Sequence, residues 1–220
     1  VVAKFYRPER WNDAQILEEH TFAAELAAQE VPVVAPLLLD GATLHHFGGF
    51  AFSVSPWRGG RAPELDDFEV LEWIGRFLAR IHTAGAAHAF TARPALDLQS
   101  FAVEPRDWLL SHPMIPLDVQ GAWEDACNEA ISLIAKYDLL TPGCDQNHSK
   151  IRLHGDCHPG NILWTPTDRP GGGPHFVDLD DARMGPAVQD LWMLLSGDRS
   201  QRTGQLSGLL DGYEQVRAVD

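Results

Sequence analysis

The sequence predicts an α+β chain in two parts: a small, partial β-rich part over residues 1–56 and a larger, mainly helical part over 57–220. Three observations carry that expectation. β-forming residues and hairpin-type glycines gather before residue 56. Pro56 to Pro63, rich in Gly and Arg, reads as a linker and a boundary. Beyond it apolar residues recur mostly at helical spacing, with short strand-like pieces confined to 151–178.

Taken in order, Val1–Tyr6 reads as a short strand bearing Lys4. Asn12 or Asp13 caps a helix that runs to about Glu30. Ile16, Glu19, Phe22 and Leu26 fall close to one face of that helix. A carboxylate on an otherwise apolar stripe calls for a partner, since burying an unpaired charge is costly. After the Pro-rich Val31–Pro36, Leu37–Leu39 and Phe50–Val54 read as hairpin arms, with Gly41 and Gly48-Gly49 as turn signals. Asp66 or Asp67 caps a helix through His82, its buried side formed by Phe68, Leu71, Ile74, Phe77, Leu78 and Ile81. Residues 104–116 hold three prolines and read as loop with a short turn. An amphipathic helix follows over about Leu117–Leu139, then strands at Ile151–His154, Ile162–Trp164 and His175–Asp178, and helices near 187–196 and 204–216.

Composition narrows the function classes. Thirty-one acidic residues against 17 basic ones leave a net charge of −14, which argues against an electrostatic grip on nucleic acid or on anionic lipid. Cys127, Cys144 and Cys157 form no CxxC pair, so neither a zinc ribbon nor a disulfide framework is supported, and a reduced cytoplasm is the expected setting. The richest apolar stretch, Val31 to Leu39, is short and broken by two prolines, so no membrane span is expected. The chain opens Val-Val-Ala-Lys, which reads as the middle of a domain.

The informative stretch is Leu153-His154-Gly155-Asp156-Cys157-His158-Pro159-Gly160-Asn161-Ile162-Leu163-Trp164, with Phe176-Val177-Asp178-Leu179-Asp180-Asp181 after it. Phosphoryl transfer needs a base or orienter beside the attacking hydroxyl and hard oxygen ligands for Mg²⁺. Asp156 and Asn161, five apart in a tight Gly/Pro loop, can face one cavity, and Asp178 at the end of an apolar strand can enter from the other side. The protein-kinase pattern H-R-D-x-x-x-x-N followed by a strand and a metal-binding Asp has this order and spacing. That resemblance to protein kinases implies a two-lobed, protein-kinase-like fold with ATP as co-substrate, and an acidic protein that holds ATP needs Mg²⁺ or a few placed cations to offset like-charge repulsion.

His154-Gly155-Asp156 with Asn161 and Val177-Asp178 resembles the aminoglycoside phosphotransferase and choline kinase superfamily. The full run from His154 to Trp164, together with Phe176 to Arg183 and Gly185-Pro186-Ala187-Val188-Gln189-Asp190-Leu191-Trp192, resembles the stress response kinase A family more closely. Those are bacterial cytoplasmic serine/threonine protein kinases linked to envelope stress. Lys4 to Trp11 and Ile16 to His20 match that family too, and the resemblance covers nearly the whole chain.

The resemblance implies roles residue by residue. Asp156 is the catalytic base; Asn161 and Asp178 hold Mg²⁺. Lys4 holds the α/β-phosphates, with Glu19 as its helix partner and Glu18 as the alternative. Asp190 braces the catalytic loop, and residues near Ser55 to Trp57 form the inter-lobe hinge that meets adenine. Three departures accompany it: the Gly-rich phosphate-covering loop belongs upstream of Lys4, the Thr165–Pro174 loop is longer than usual, and further C-terminal helices belong after Asp220. A monomer that takes a protein or small-molecule hydroxyl as acceptor is expected.

Other readings compete. His154-x-Asp156-x-His158, placed on a strand, would share one face and suit a metal hydrolase. A pseudokinase would have lost the base or a metal ligand, and neither is lost. A small-molecule kinase fits the separation of 12 positions from Asp178 to Asp190, too short for a long phosphorylation-controlled segment. Asp180 and Asp181 read as loop-bracing carboxylates, His82 and His158 as structural, and Cys157 as a thiol that would be redox-sensitive only if its pKa were lowered.

Overall fold

The structure is a computed structural model that describes residues 1–140 and 150–218. Cys144 lies outside the described residues. The chain divides into two units, Val1–Pro94 with Lys150–Asp220, and Ala95–Ser149.

In the first unit, β1 (Val2–Phe5) leads to α1 (Asp13–Ala28), whose start is set by a reciprocal cap: Asn12 accepts from the Gln15 backbone while the Gln15 side chain accepts from Asn12. The predicted face is buried as a set, with Ile16, Phe22 and Leu26 fully enclosed and Glu19 among them. β2 (His45–Phe47) and β3 (Phe50–Ser55) form the hairpin, and the sheet order is β1-β3-β2, antiparallel, with Lys4 opposite Ser53. The hairpin arm is thus His45–Phe47 and not Leu37–Leu39. Gly48 and Gly49 both take positive φ, the backbone a tight two-residue turn requires, and this places Phe47 opposite Phe50. Leu37–Leu39 instead touches β3 once, through Leu37 N–H to the Val54 carbonyl, and closes a separate small turn at Asp40-Gly41.

Helix α2 (Phe68–Ala87) is capped by Asp67 and runs five residues past His82. Its buried side is Val70, Leu71, Ile74, Leu78 and Ile81; Phe68 is exposed and Phe77 only partly buried, so the stripe is rotated from the expected one. It is the central helix of the core, meeting Phe22 and Leu26 of α1, Ile162 and Phe176, and Leu209 and Tyr213 near the end of the chain in one continuous apolar cluster.

The second unit is helical: a π-helical turn over Gln99–Val103 continues into α3 (Glu104–Ser111), and α4 spans Leu117–Leu140. The stretch expected as loop is therefore mostly helix. Pro105 stands in the first turn of α3, where its missing N–H has no intrahelical partner to lose, and only Pro113 and Pro116 fall outside the helices. Arg106 joins α3 to α4 through Asn128 at 2.8 Å.

Back in the first unit, β4 (Ile151–Leu153) pairs with β7 (Arg183–Gly185), and β5 (Ile162–Thr165) pairs with β6 (Gly173–Phe176). β6 starts and ends two residues earlier than expected, because Gly171 and Gly173 at positive φ turn the loop back early, and Asp178 lies beyond it. The short α5 (Val188–Trp192) and α6 (Arg199–Tyr213) close the unit. Among the described residues no helix is long and apolar enough to cross a membrane.

Candidate active site

The loop after β4 is held from behind by one buried carboxylate. Asp190, with no exposed surface, accepts from His154 N–H and Gly155 N–H at 2.9 Å each, and from His82 Nε2 at 2.9 Å. With Nε2 donating, His82 Nδ1 accepts from the Tyr213 hydroxyl at 2.8 Å. Burial pushes the Asp190 pKa up, but the His82 bond, the neighbouring His82 and His154 rings and the Gly155 N–H outweigh it and hold it below the usual carboxylate range. Gly155 sits at φ +86, and a Cβ there would collide with the Asp181 carbonyl, so the loop can pass this close only as glycine.

His154 pins the loop to the opposite strand end. Its ring is buried, with Nε2 bonded to the Val177 carbonyl at 2.9 Å and Nδ1 accepting from Asp156 N–H at 3.4 Å. His158 Nδ1 accepts from Gly160 N–H at 3.0 Å and caps the turn Pro159–Asn161. The alternating His154/Asp156/His158 set is therefore no metal triad, since the first ring is committed on both nitrogens and faces inward. Cys157 is fully buried, and burial, with Asp190 and Asp156 nearby, raises its thiol pKa well above the ordinary value. That environment favours an inert thiol and removes the basis for redox sensitivity.

Asn161 Nδ2 donates to the Asp156 carbonyl at 2.9 Å and to its carboxylate Oδ2 at 3.2 Å, while the Asn161 carbonyl accepts from Val177 N–H at 3.0 Å. Asp156, Asn161 and the chain entering Asp178 are thus one hydrogen-bonded assembly. Asp178 takes a left-handed backbone at φ 61, which turns it off the end of β6 into the short helical turn Leu179–Asp181.

From the other side comes Lys4. Its Nζ lies 2.8 Å from Asp178 Oδ1, 3.2 Å from Asp180 Oδ1 and 3.7 Å from Glu19 Oε1. Burial alone would lower the lysine pKa, but Glu19, Asp178 and Asp180 outweigh it and raise the value. Burial likewise works against ionised Asp178, and the Lys4 bond and charge, with the Asp180 N–H, hold its pKa below the ordinary range. Glu19 is the helix partner; Glu18 turns away to accept backbone N–H groups of Thr91, Ala92 and Arg93. Arg10 and Arg183 take the remaining carboxylates, Arg10 at 3.0 Å from Asp180 and 2.9 Å from Asp181, Arg183 at 2.6 Å from Asp181.

Lys4, Glu19 and Asp178 are thus brought into one cluster, and Asp156 with Asn161 is joined to it through Val177. Ser55 ends β3 two residues from Ser53, the register partner of Lys4. Trp57 is not drawn in: it is 72% exposed and lines a groove of about 630 Å³ with Arg58, Arg61, Trp164 and Arg169. None of the side chains around Asp156 or Lys4 lines that groove. Arg61 ties this segment to β5 by a pair of backbone bonds with Trp164, at 3.0 and 2.7 Å. The arginines at positions 10, 93, 152 and 183 carry no motif spacing, and of them only Arg10 and Arg183 fall in stretches with a family resemblance.

The donor chemistry fits a hard divalent cation. The Asn161 amide gives its N–H₂ to Asp156, which leaves its oxygen as an acceptor, and the half-exposed Asp178 carboxylate stands at the adjacent strand end. Among the described residues no group of three or more His, Cys, Asp or Glu is assembled to hold a metal. Two protein oxygens suit a cation that keeps waters and brings phosphate oxygens with it.

The phosphotransferase enzyme family model matches residues 1–219. The chain is 45% identical over 219 residues to Stress response kinase A of Shigella flexneri and of Escherichia coli K12. It is 44% identical to Serine/threonine protein kinase RdoA of Salmonella typhimurium. All of this chain is covered in each case, and it spans 63% of the length of these curated relatives. Among solved structures it resembles the amicoumacin kinase hAmiN in complex with AMP-PNP, Ca²⁺ and Ami, with a TM-score of 0.77, 21% identity, and 99% of this chain and 66% of that one covered. It also resembles choline kinase LicA from Streptococcus pneumoniae, with a TM-score of 0.64, 17% identity, and 94% and 66% covered. These likenesses give the fold, which is kinase-like, and the match along the sequence gives the family: the chain belongs to the phosphotransferase enzyme family.

Proposed function

We propose that this chain carries the catalytic centre of an ATP-dependent protein kinase that works with Mg²⁺ and phosphorylates serine or threonine hydroxyls in the cytoplasm, acting as a monomer. The observation that carries the reading is the meeting of Lys4, Glu19 and Asp178 beside the Asp156–Asn161 loop. The name Serine/threonine protein kinase on a relative at 44% identity supports the protein acceptor. Residues 1–56 act as the N-lobe and 57–220 as the C-lobe, with Ser55 and Trp57 at the hinge that meets adenine.

Asp156 accepts the proton of the acceptor hydroxyl as its oxygen attacks the γ-phosphorus and the bond to the β-phosphate oxygen breaks. Asn161 holds the Asp156 carboxylate in place and, with Asp178, supplies the metal ligands. Asn161 and Asp178 would hold the Mg²⁺, which would supply positive charge against the charge that builds up in transfer. Lys4 exchanges its contact with Asp178 for the α/β-phosphates, while Glu19 keeps it aimed.

A second reading, a kinase for a small-molecule hydroxyl, is favoured by the stretch between Asp178 and Asp190, which holds only the 179–181 turn, β7 and the start of α5. The test is transfer from labelled ATP by purified protein to protein acceptors, aminoglycosides and choline, with Asp156→Asn as control. Label on protein serine or threonine, lost in the control, is expected. Label only on a small molecule would establish the second reading, and no Asp156-dependent label on any acceptor would reject both.

A further inference from the structure

Glu19 can aim Lys4 only if α1 itself is held against the 178–182 segment. Segment 91–93 lies between them. From α1, the Glu18 carboxylate accepts from Thr91 N–H at 2.7 Å, Thr91 Oγ1 at 2.6 Å and Arg93 N–H at 2.9 Å, while Gln15 Nε2 donates to the Ala92 carbonyl at 3.1 Å. In return Arg93, 4% exposed, reaches both ways. Its Nη1 donates to the Gln15 carbonyl at 2.8 Å and stands 3.5 Å from Glu19 Oε2. Its Nε donates to the Ala182 carbonyl at 2.6 Å, and its Nη2 to the Asp180 carbonyl. The Trp11 ring lies 4.5 Å from the guanidinium. Glu19 Oε2 accepts no hydrogen bond among the described residues, so Arg93 is the cation facing it.

We propose that Arg93 is a positioning residue: it locks the helix that carries Glu19 to the segment that carries Asp178, so that the Lys4–Glu19 alignment is built into the fold and needs no separate activating event. The functional consequence rests on the kinase reading above; the lock itself does not. A planar fork with donors in three directions is what the site requires. One edge meets α1 and the other meets the 180–182 carbonyls, all in a space closed to water. A lysine could restore the charge beside Glu19 but could not span both sides, because its donors sit on a single point. Glu18 belongs to the same device, since it fixes the backbone from which Arg93 projects.

Two variants of the full chain, Arg93→Lys and Glu18→Gln, separate this from a general packing role. Hydrogen exchange is read with no nucleotide present. In Arg93→Lys, amides of α1 and of 179–182 are expected to lose protection together by about tenfold or more, while α2 and α6 hold theirs. Glu18→Gln, which leaves the guanidinium in place, is expected to move the same two segments by less. Affinity for the Mg²⁺ complex of AMP-PNP, measured by calorimetry, should fall about tenfold in folded Arg93→Lys. Loss of protection in only one of the two segments, or equally in every element, overturns the lock. Unchanged nucleotide affinity in folded Arg93→Lys overturns its functional role. If wild type binds no nucleotide while the two segments still move together, the kinase reading fails and the lock stands.

Discussion

Replacing Asp190 by asparagine tests how the loop that carries Asp156 and Asn161 is held. The carboxylate accepts from His154 N–H, Gly155 N–H and His82 Nε2 with both oxygens engaged. An amide keeps one accepting oxygen and turns two donors toward groups that are themselves donors. At least one buried backbone N–H is then orphaned, at about 1–3 kcal/mol, and the charge that strengthens the His82 bond is gone. The sum is about 2–5 kcal/mol, from one orphaned donor and one weakened bond to a charged group. Urea unfolding at pH 7 reads this as a lower midpoint at unchanged slope. The loop should loosen even where the variant is folded, so turnover well below the melting range should fall by roughly 10²-fold, the cost of a misplacement near 1 Å. A stability loss under about 1 kcal/mol with normal turnover would mean that the loop is held by other contacts.

Other expected outcomes follow from the same geometry. Asp156→Asn should cut transfer by about 10²-fold or more while nucleotide affinity, read by calorimetry, stays within a factor of about three. Asp178→Asn should raise the Mg²⁺ concentration giving half-maximal activity, because the amide keeps an oxygen but not the charge; an unchanged midpoint would move the ligand role to Asp180 or Asp181. Gly155→Ala should destabilise by about 2 kcal/mol or more, seen in the melting temperature, since the added methyl collides with the Asp181 carbonyl at a positive φ. His20, bonded to Tyr6 and Thr43, has its pKa lowered to about 4 by burial and by the Lys4 and Arg93 charges. Its folded pKa is below its unfolded one, so the unfolded chain binds the proton more readily. Stability is full above about pH 6.5 and lost as pH falls toward 4, by roughly 2–3 kcal/mol. His20→Gln should flatten that window in urea midpoints taken at several pH values.

What could be read in advance was what short-range chemistry decides. Asn12 or Asp13 announces the start of α1, and Asp66 or Asp67 the start of α2, because caps are local, and the structure selects Asn12 and Asp67. The order Asp156, Asn161, Asp178 was legible because the loop is built from Gly and Pro at fixed spacing. The rotation of the α2 stripe was not, since which of Phe68 and Val70 faces inward depends on where α6 lies. His45–Phe47 was passed over for the more apolar Leu37–Leu39, although the glycine pair decides which arm can turn back. The length of α2 was hidden because Gly85 resembles a stop. The structure gives it another reason: a Cβ there would collide with the Arg152 carbonyl. Arg93 and Arg152 follow no period, and only tertiary packing shows a buried arginine's partners, here Glu25 and the Ala84 carbonyl for Arg152.

The charge arithmetic around Lys4 bears on how a chain at −14 would receive the nucleotide of the proposed reaction. Around Lys4 stand Arg10, Arg93 and Arg183, four cations with it, against Glu19, Asp178, Asp180 and Asp181, four carboxylates. The cluster is locally neutral, so the acidic surface elsewhere, screened within about 10 Å at ordinary salt, does not decide binding. Neutrality reached through Lys4–Asp178 contact also means that a nucleotide must separate a pair before it can use either member. That exchange is favourable only if both are repaid, Lys4 by phosphate and Asp178 by a cation. Nucleotide without divalent metal would leave Asp178 stripped of its partner beside incoming negative charge. Affinity for AMP-PNP should therefore fall by at least about tenfold when the metal is removed with EDTA. In Asp178→Asn the same removal should cost little, because no carboxylate is left exposed to the phosphates. Equal metal dependence of binding in wild type and Asp178→Asn, measured by calorimetry, would refute the exchange.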